Sequence, residues 1–352
     1  MKIITIGACK GGVGKTTTAH LLIEGLRKKG YKVLGIDLDY QMNLSKNYKR
    51  GKSLSSYELM TGSSINMCIS NDMIFGSENL ERIDSSLREL GSEYILAESL
   101  LEVHEKYDYC VIDVHPDKFK KLNINAYVAS DFMIIPAVPD FYDEMSVIDT
   151  LKAVAGAKKY YKSKIEKSFV LMTRYRDTNY HKEIRSHIIQ NIASYDAEML
   201  NTSIRYDEAI SEAISYGETV FTFKPYSKGS KDYSLFIDEL LSKIEPNYSM
   251  SVFNFKTPSL ELWNYVENMS FSNFMSELEK AYPNPKGFTY NDFIQKFESV
   301  DSMYLKLILL FSVYKKNGIQ ALSYYKKIFE DPTLYQVTAK EKFVKLFKLE
   351  EN

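Results

Sequence analysis

Ala8-Cys9-Lys10-Gly11-Gly12-Val13-Gly14-Lys15-Thr16-Thr17-Thr18 decides how the rest of the chain is read. It follows a short apolar run, Ile3 to Ile6, and opens a helix-like run, Ala19 to Lys29. A strand, a glycine-rich turn and a helix that begins at Lys-Thr make a cradle for phosphate. Glycines let backbone N–H groups approach the oxygens with no Cβ in the way. The helix N-terminus adds unpaired N–H groups and the positive end of its dipole. Residues 10–17 therefore form the candidate nucleotide-binding set: Lys10, Gly11, Gly12, Val13, Gly14, Lys15, Thr16 and Thr17. Lys15 would reach the β- and γ-phosphates, and the Thr16 hydroxyl would hold Mg²⁺.

The ordinary P-loop pattern, G-x-x-x-x-G-K-[ST], misses by one residue, because its first glycine falls on Cys9. A second lysine, Lys10, stands beside it. Lys15 already serves the phosphates, so Lys10 is hard to explain inside one subunit.

Working outward, Lys32 to Ile36 reads as a second strand, with Gly30 ending the helix before it. Asp37 and Asp39 follow at its C-terminal edge. Beside a P-loop, one carboxylate can hold a magnesium-bound water and the other can position an attacking water. Solvated loop aspartates remain the alternative on the residues alone. Leu87 to Tyr107 reads as helical from its apolar spacing. The strand from Tyr107 ends in Asp113, a Walker B arrangement with Asp113 as an outer-sphere Mg²⁺ partner. His115 is read as a turn histidine, since no second His or Cys stands at ligand spacing. Strands at Phe132–Pro136 and Phe169–Thr173 alternate with helices at Asp143–Tyr161, His181–Ile192 and Ser230–Ile244. This alternation predicts an α/β fold, a mostly parallel sheet with helices on both faces.

Composition sets bounds. The chain has 352 residues, 45% hydrophobic and 26% charged, with a net charge of -1. That suits a soluble protein with more than one folded unit, and any nucleic-acid contact must come from a local patch. Three cysteines without metal-ligand spacing argue against a disulfide framework. The N-terminus enters a strand directly, and the longest apolar run, Met303 to Tyr314, contains Lys306 and is short for a bilayer. A cytoplasmic location is expected.

Taken together, residues 1–245 resemble the ParA/MinD family of deviant Walker-A ATPases, within the SIMIBI class of P-loop NTPases. The likeness rests on Lys10–Thr18, Asp37–Ser45, Tyr107–Asp113, Ala129–Pro139 and the closing stretches S-Y-G-E-T-V and K-P-Y-S-K-G-S-K-D-Y. Asp37–Ser45 is similar to the ParA run D-x-D-P-Q-G-N-x-[ST], which favours the ParA side. The resemblance implies an ATP-dependent sandwich homodimer in which Lys10 crosses to the partner's phosphates, much as an arginine finger does. It implies that Lys10, Lys15 and Asp39 are catalytic, with Asp39 orienting water. Thr16 would ligate Mg²⁺, supported by Asp37 and Asp113, and Pro225 would border the adenine. It also implies non-specific DNA binding on the nucleoid through basic residues, here Arg174, Arg176, Arg205 and Lys228, with Arg185, Lys224 and Lys231 as further candidates. A ParB-like partner would stimulate hydrolysis. This sequence departs from the pattern at Tyr40 and Met42, in place of Pro and Gly, and at Val114-His115-Pro116, in place of Thr-Pro-Pro.

The resemblance ends near Pro246. Residues 247–258 read as a linker, and helical stretches from Leu260 to Leu349 predict a C-terminal α-helical domain over 246–352, an expected site for a protein partner. Asn317 to Phe329 resembles the second helix of a tetratricopeptide repeat without a clear second copy. The lysine-flanked apolar face of residues 340–349 resembles a MinD-type membrane-targeting helix, but Glu350 and Glu351 oppose anionic lipid, so membrane contact is not expected. DNA segregation or positioning leads. A membrane-bound spatial regulator, and a DNA-bound regulator or a defence or cargo-positioning ATPase, are the alternatives.

Overall fold

The apolar run at the N-terminus becomes an interior strand. In the computed structural model, which describes residues 1–245 apart from 88, 90, 118 and 119, β1 is Lys2–Ile6. Its neighbours are β5 (Tyr109–Val114) on one side and β6 (Phe132–Ala137) on the other, both parallel. The sheet also contains β2 (Val33–Leu38), β3 (Ile69–Ser70), β4 (Met73–Ile74), β7 (Lys167–Tyr175) and β8 (Ala197–Arg205). Its order is β3-β4-β2-β5-β1-β6-β7-β8, parallel throughout except for the β3–β4 hairpin. The expected α/β architecture with a mostly parallel sheet is what forms. The helices, linker and terminal amphipathic face expected over 246–352 lie outside the described residues.

Both faces of the sheet are buried, which is why the strands read as continuous apolar runs. Within β5, Tyr109 and Val111 join one core, while Cys110, Ile112 and Val114 join the other, the period-2 alternation of a strand. The first core is closed by the helix α1 (Lys15–Lys28) and the helix Lys228–Ile244, through Leu22, Phe236, Ile237 and Leu240. A hydrogen bond from Thr18 to Tyr233, 3.2 Å, joins the two helices inside this core. The second core packs Leu34, Ile36 and Ile112 against Leu96, Leu100, Leu122 and Ala126. Under β6 and β7, the helices Phe141–Tyr161 and Asn179–Ile192 supply Leu151, Val154, Ile184 and Ile188.

One sequence expectation shifts. The helix expected over Leu87–Tyr107 is a 3-10 turn, Ser92–Tyr94, followed by a short helix, Ile95–Leu101. Gly91 at φ 94° breaks the chain upstream, and Leu101 is exposed, so the apolar face is not continued. α1 begins at Lys15, the helix start expected at Lys-Thr, so that pair sits in its first turn.

Phe236 is fully buried and meets Tyr233 edge to face. Phe236→Ala is expected to cost about 3–5 kcal/mol, read as a lowered midpoint of urea unfolding.

Candidate functional site

Parallel strands deliver their C-terminal ends to one edge, and the expected site residues collect there. β1 leads into the glycine loop, β2 ends beside Asp37 and Asp39, and β5 ends beside Asp113 and His115. The loop is anchored from outside. Thr173 Oγ1 donates to the Val13 carbonyl at 2.8 Å, and the Cys9 N–H donates to Thr150 Oγ1 at 3.1 Å. Gly12 and Gly14 adopt φ 76° and 93°, the left-handed region that side chains avoid. Gly14 is the N-cap of α1 and offers no side-chain cap, so the first-turn N–H groups of α1 stay available for an anion. Gly11 and Gly12 are exposed at the mouth, and Thr16 and Thr17 are half-buried in the first turn.

Lys15 is buried and donates Nζ to the Lys10 carbonyl at 3.0 Å. Burial lowers its pKa, against the opposing pull of Asp113 and Asp39. Asp37 and Asp113 face each other in register across β2 and β5, and both are buried. Asp37 accepts from the Asp39 N–H (3.0 Å), the Ser45 N–H (2.8 Å) and Ser45 Oγ (2.7 Å). Burial still pushes it up to about 6. Asp113 is pushed well above the carboxylate range by burial and then by Asp37, with the Thr16 hydroxyl and Lys15 opposing. Neither Asp113 oxygen has a well-formed hydrogen bond. An orphaned buried carboxylate beside a second carboxylate and a hydroxyl fits a hydrated divalent cation. Thr16, Asp37 and Asp113 thus lie together at one edge of the sheet.

Asp39 is nearly buried, and its Oδ1 accepts from the Gln41 N–H and from His115 Nδ1–H, both at 2.9 Å. The sequence reading of His115 as a turn residue missed this contact. The available signal was its place two residues beyond Asp113, at the same strand end. Met42, where the resembling pattern has glycine, takes φ 54°, so the glycine-type backbone persists under a methionine.

Lys10 corrects the sequence argument that one subunit has no use for it. Its Nζ pairs with Asp143 at 2.7 Å and with Asp140 at 3.4 Å. Asp143 is buried and also accepts from the Val138 N–H at 2.6 Å, so the acidic partner is fixed. The hydrogen bond to Asp143 raises the Lys10 pKa, which keeps the ammonium charged.

The basic candidates divide. Arg174 and Arg176 are exposed at the end of β7, with Arg176 over the Tyr206 ring at 5.2 Å. Arg205 ends β8, but its guanidinium is held by buried Asp232 at 2.7 and 2.9 Å, so much of its charge is compensated. Lys228 is exposed at the start of its helix, and Pro225 is exposed in the turn before it. Lys224 pairs with Glu212, and Arg185 donates to the Leu200 carbonyl at 3.0 Å. Lys231 is half-buried.

Residues 1–167 match the family model described as an AAA domain. A ParA family protein of Chlamydia pneumoniae is 30% identical over 256 residues, covering 68% of this chain and 98% of that protein. The sporulation initiation inhibitor protein Soj of Bacillus subtilis is 28% identical over 248 residues, 66% of this chain and 95% of Soj. A plasmid partition protein of Borrelia burgdorferi, solved with AMPPNP, superimposes with a TM-score of 0.56 at 25% identity, covering 69% of this chain and 99% of that one. The chain belongs to the ParA family of P-loop ATPases.

Proposed function

We propose that this protein is an ATP-driven dimer switch that positions or segregates DNA. The observation that carries the reading is Lys10, a charged lysine about a third exposed at the rim of the phosphate loop. In the reading, ATP bridges two subunits, Lys10 leaves Asp143 and Asp140, and it meets the partner's phosphates. Lys15 and the N–H groups of α1 hold the phosphates within the subunit. Asp39 orients the attacking water. Mg²⁺ would be held by Thr16 directly and by Asp113 and Asp37 through water, where it would offset phosphate charge.

The dimer would hold DNA non-specifically on the nucleoid through Arg174, Arg176 and Lys228, and a ParB-like partner would trigger hydrolysis. Residues 246–352 would recruit a protein partner. Support for the DNA role comes from the relatives, which include a plasmid partition protein, and from exposed arginines at the strand ends beside the nucleotide edge. Among the described residues, no helix is long and apolar enough to cross a membrane.

Lys10→Ala should abolish ATP-dependent dimerisation in sizing experiments, and a persisting dimer would sink the crossing role. Asp39→Ala should still dimerise while turnover falls about 100-fold or more. Asp113→Asn removes a carboxylate that would support the cation, so it should weaken magnesium-dependent nucleotide binding. Unchanged magnesium dependence would contradict that placement. Retention of ATP-loaded protein on DNA should fall steeply with salt. Arg176→Ala should flatten the log–log slope by about one unit per lost phosphate contact, and an unchanged slope would remove Arg176 from the interface.

A further inference from the structure

Two departures from the family pattern meet in space. The His115 ring packs on Tyr40 with centroids 4.4 Å apart and planes 36° apart, and Lys120 Nζ lies 4.6 Å from the Tyr40 ring centre. His115 Nδ1–H donates to Asp39 Oδ1 at 2.9 Å. The backbone of His115 is fixed as well, because its carbonyl accepts from the Asn123 side chain and the Asp117 N–H, each at 2.8 Å. Little of either partner reaches solvent, with the His115 side chain 17% exposed and that of Asp39 9%.

We propose that His115 is a positioning residue for Asp39, braced by Tyr40 and Lys120. The inference rests on reading Asp39 as the water-orienting group. A carboxylate turns easily about its last torsion. The Gln41 N–H reaches Asp39 Oδ1 from two residues along the same loop, so that bond moves with the loop. The His115 bond comes from the end of β5, the strand that carries Asp113. It therefore fixes the carboxylate plane to the same rigid element as the metal-side carboxylate. With both donors on Oδ1, Oδ2 is left to accept from the attacking water. Position matters here, since an error of about 1 Å in a reacting group can cost on the order of 100-fold. A neutral imidazole with its proton on Nδ1 suffices, so the device needs no change of charge.

The competing explanation is that His115 only fills space under Tyr40. Two substitutions separate the two. His115→Phe keeps a ring and removes the donor, whereas His115→Asn shrinks the ring and keeps an N–H near the Nδ1 position. With the full chain, ATP turnover, KM, fluorescent-nucleotide affinity and ATP-dependent dimerisation are measured. Amide exchange of residues 38–44 is followed in the nucleotide-free protein. His115→Phe should lower kcat about tenfold or more, the scale for losing an orienting partner, with KM and nucleotide affinity within about twofold. Exchange at the Gln41 amide should quicken. His115→Asn should restore turnover to within about threefold of the parent and restore slow exchange. Adding His115→Phe to Asp39→Ala should cost nothing further, because both remove one function.

Full turnover in His115→Phe, equal loss in His115→Asn, unchanged exchange, or multiplying losses in the double variant would each overturn the proposal. If Asp39→Ala alone keeps full turnover, the reading of Asp39 fails and takes this role with it. Loss in Asp39→Ala with none in His115→Phe overturns the role of His115 alone. Should His115→Phe not fold, His115→Ala carries the same expectations.

Discussion

Two carboxylates are buried side by side where the fold places no neutralising bond for one of them. Asp37 and Asp113 lie in register on adjacent parallel strands, and burial disfavours the charge on each. Such a pair is costly in an apolar interior unless something positive arrives. Much of the surrounding structure is organised by that cost. Ser45 spends its N–H and its hydroxyl on Asp37, and the Asp39 N–H adds a third bond. Asp113 receives only the nearby Thr16 hydroxyl and the field of Lys15. The asymmetry leaves one satisfied carboxylate and one waiting carboxylate, the arrangement that suits an ion which comes and goes with its nucleotide.

The positive groups are arranged with the same economy. Lys15 is buried and lies between the Lys10 carbonyl and the carboxylates, so its position is set before any phosphate arrives. Lys10 is the opposite kind of lysine, about a third exposed and held by Asp143 in the first turn of the helix that follows β6 and by Asp140 just before it. One lysine belongs to the interior and the other to the rim. The glycine backbone between them, with Gly12 and Gly14 left-handed, is what lets four residues separate those two environments.

Much of this was legible in the sequence because the chemistry sits in contiguous, strongly patterned runs. The glycine loop, Asp37 with Asp39, and the apolar strand ending in Asp113 each carry their meaning locally, and topology then brings the strand ends to one edge. Elements whose signal depends on distant partners were harder to read. β8 was not anticipated, because Met199 and Leu200 are buried together beside an exposed Asn201 and the alternation of a half-buried strand is lost. β3 and β4 are two residues each, too short to show any period. His115 escaped because its meaning is a contact across 76 residues to Asp39. Arg205 read as an exposed charge, and only the fold shows Asp232 beneath it.

Met42 adds a mechanical consequence. A side chain held at φ 54° costs about 1–3 kcal/mol relative to relaxed backbone. The run from Asp39 to Ser45 is kept wound by the Met42 N–H on the Asp39 carbonyl (2.9 Å) and the Lys46 N–H on the Met42 carbonyl (3.2 Å). Glycine in that place would carry no such cost. With methionine, the bonds that wind the loop have to outweigh it, so the resting shape is held by a smaller margin.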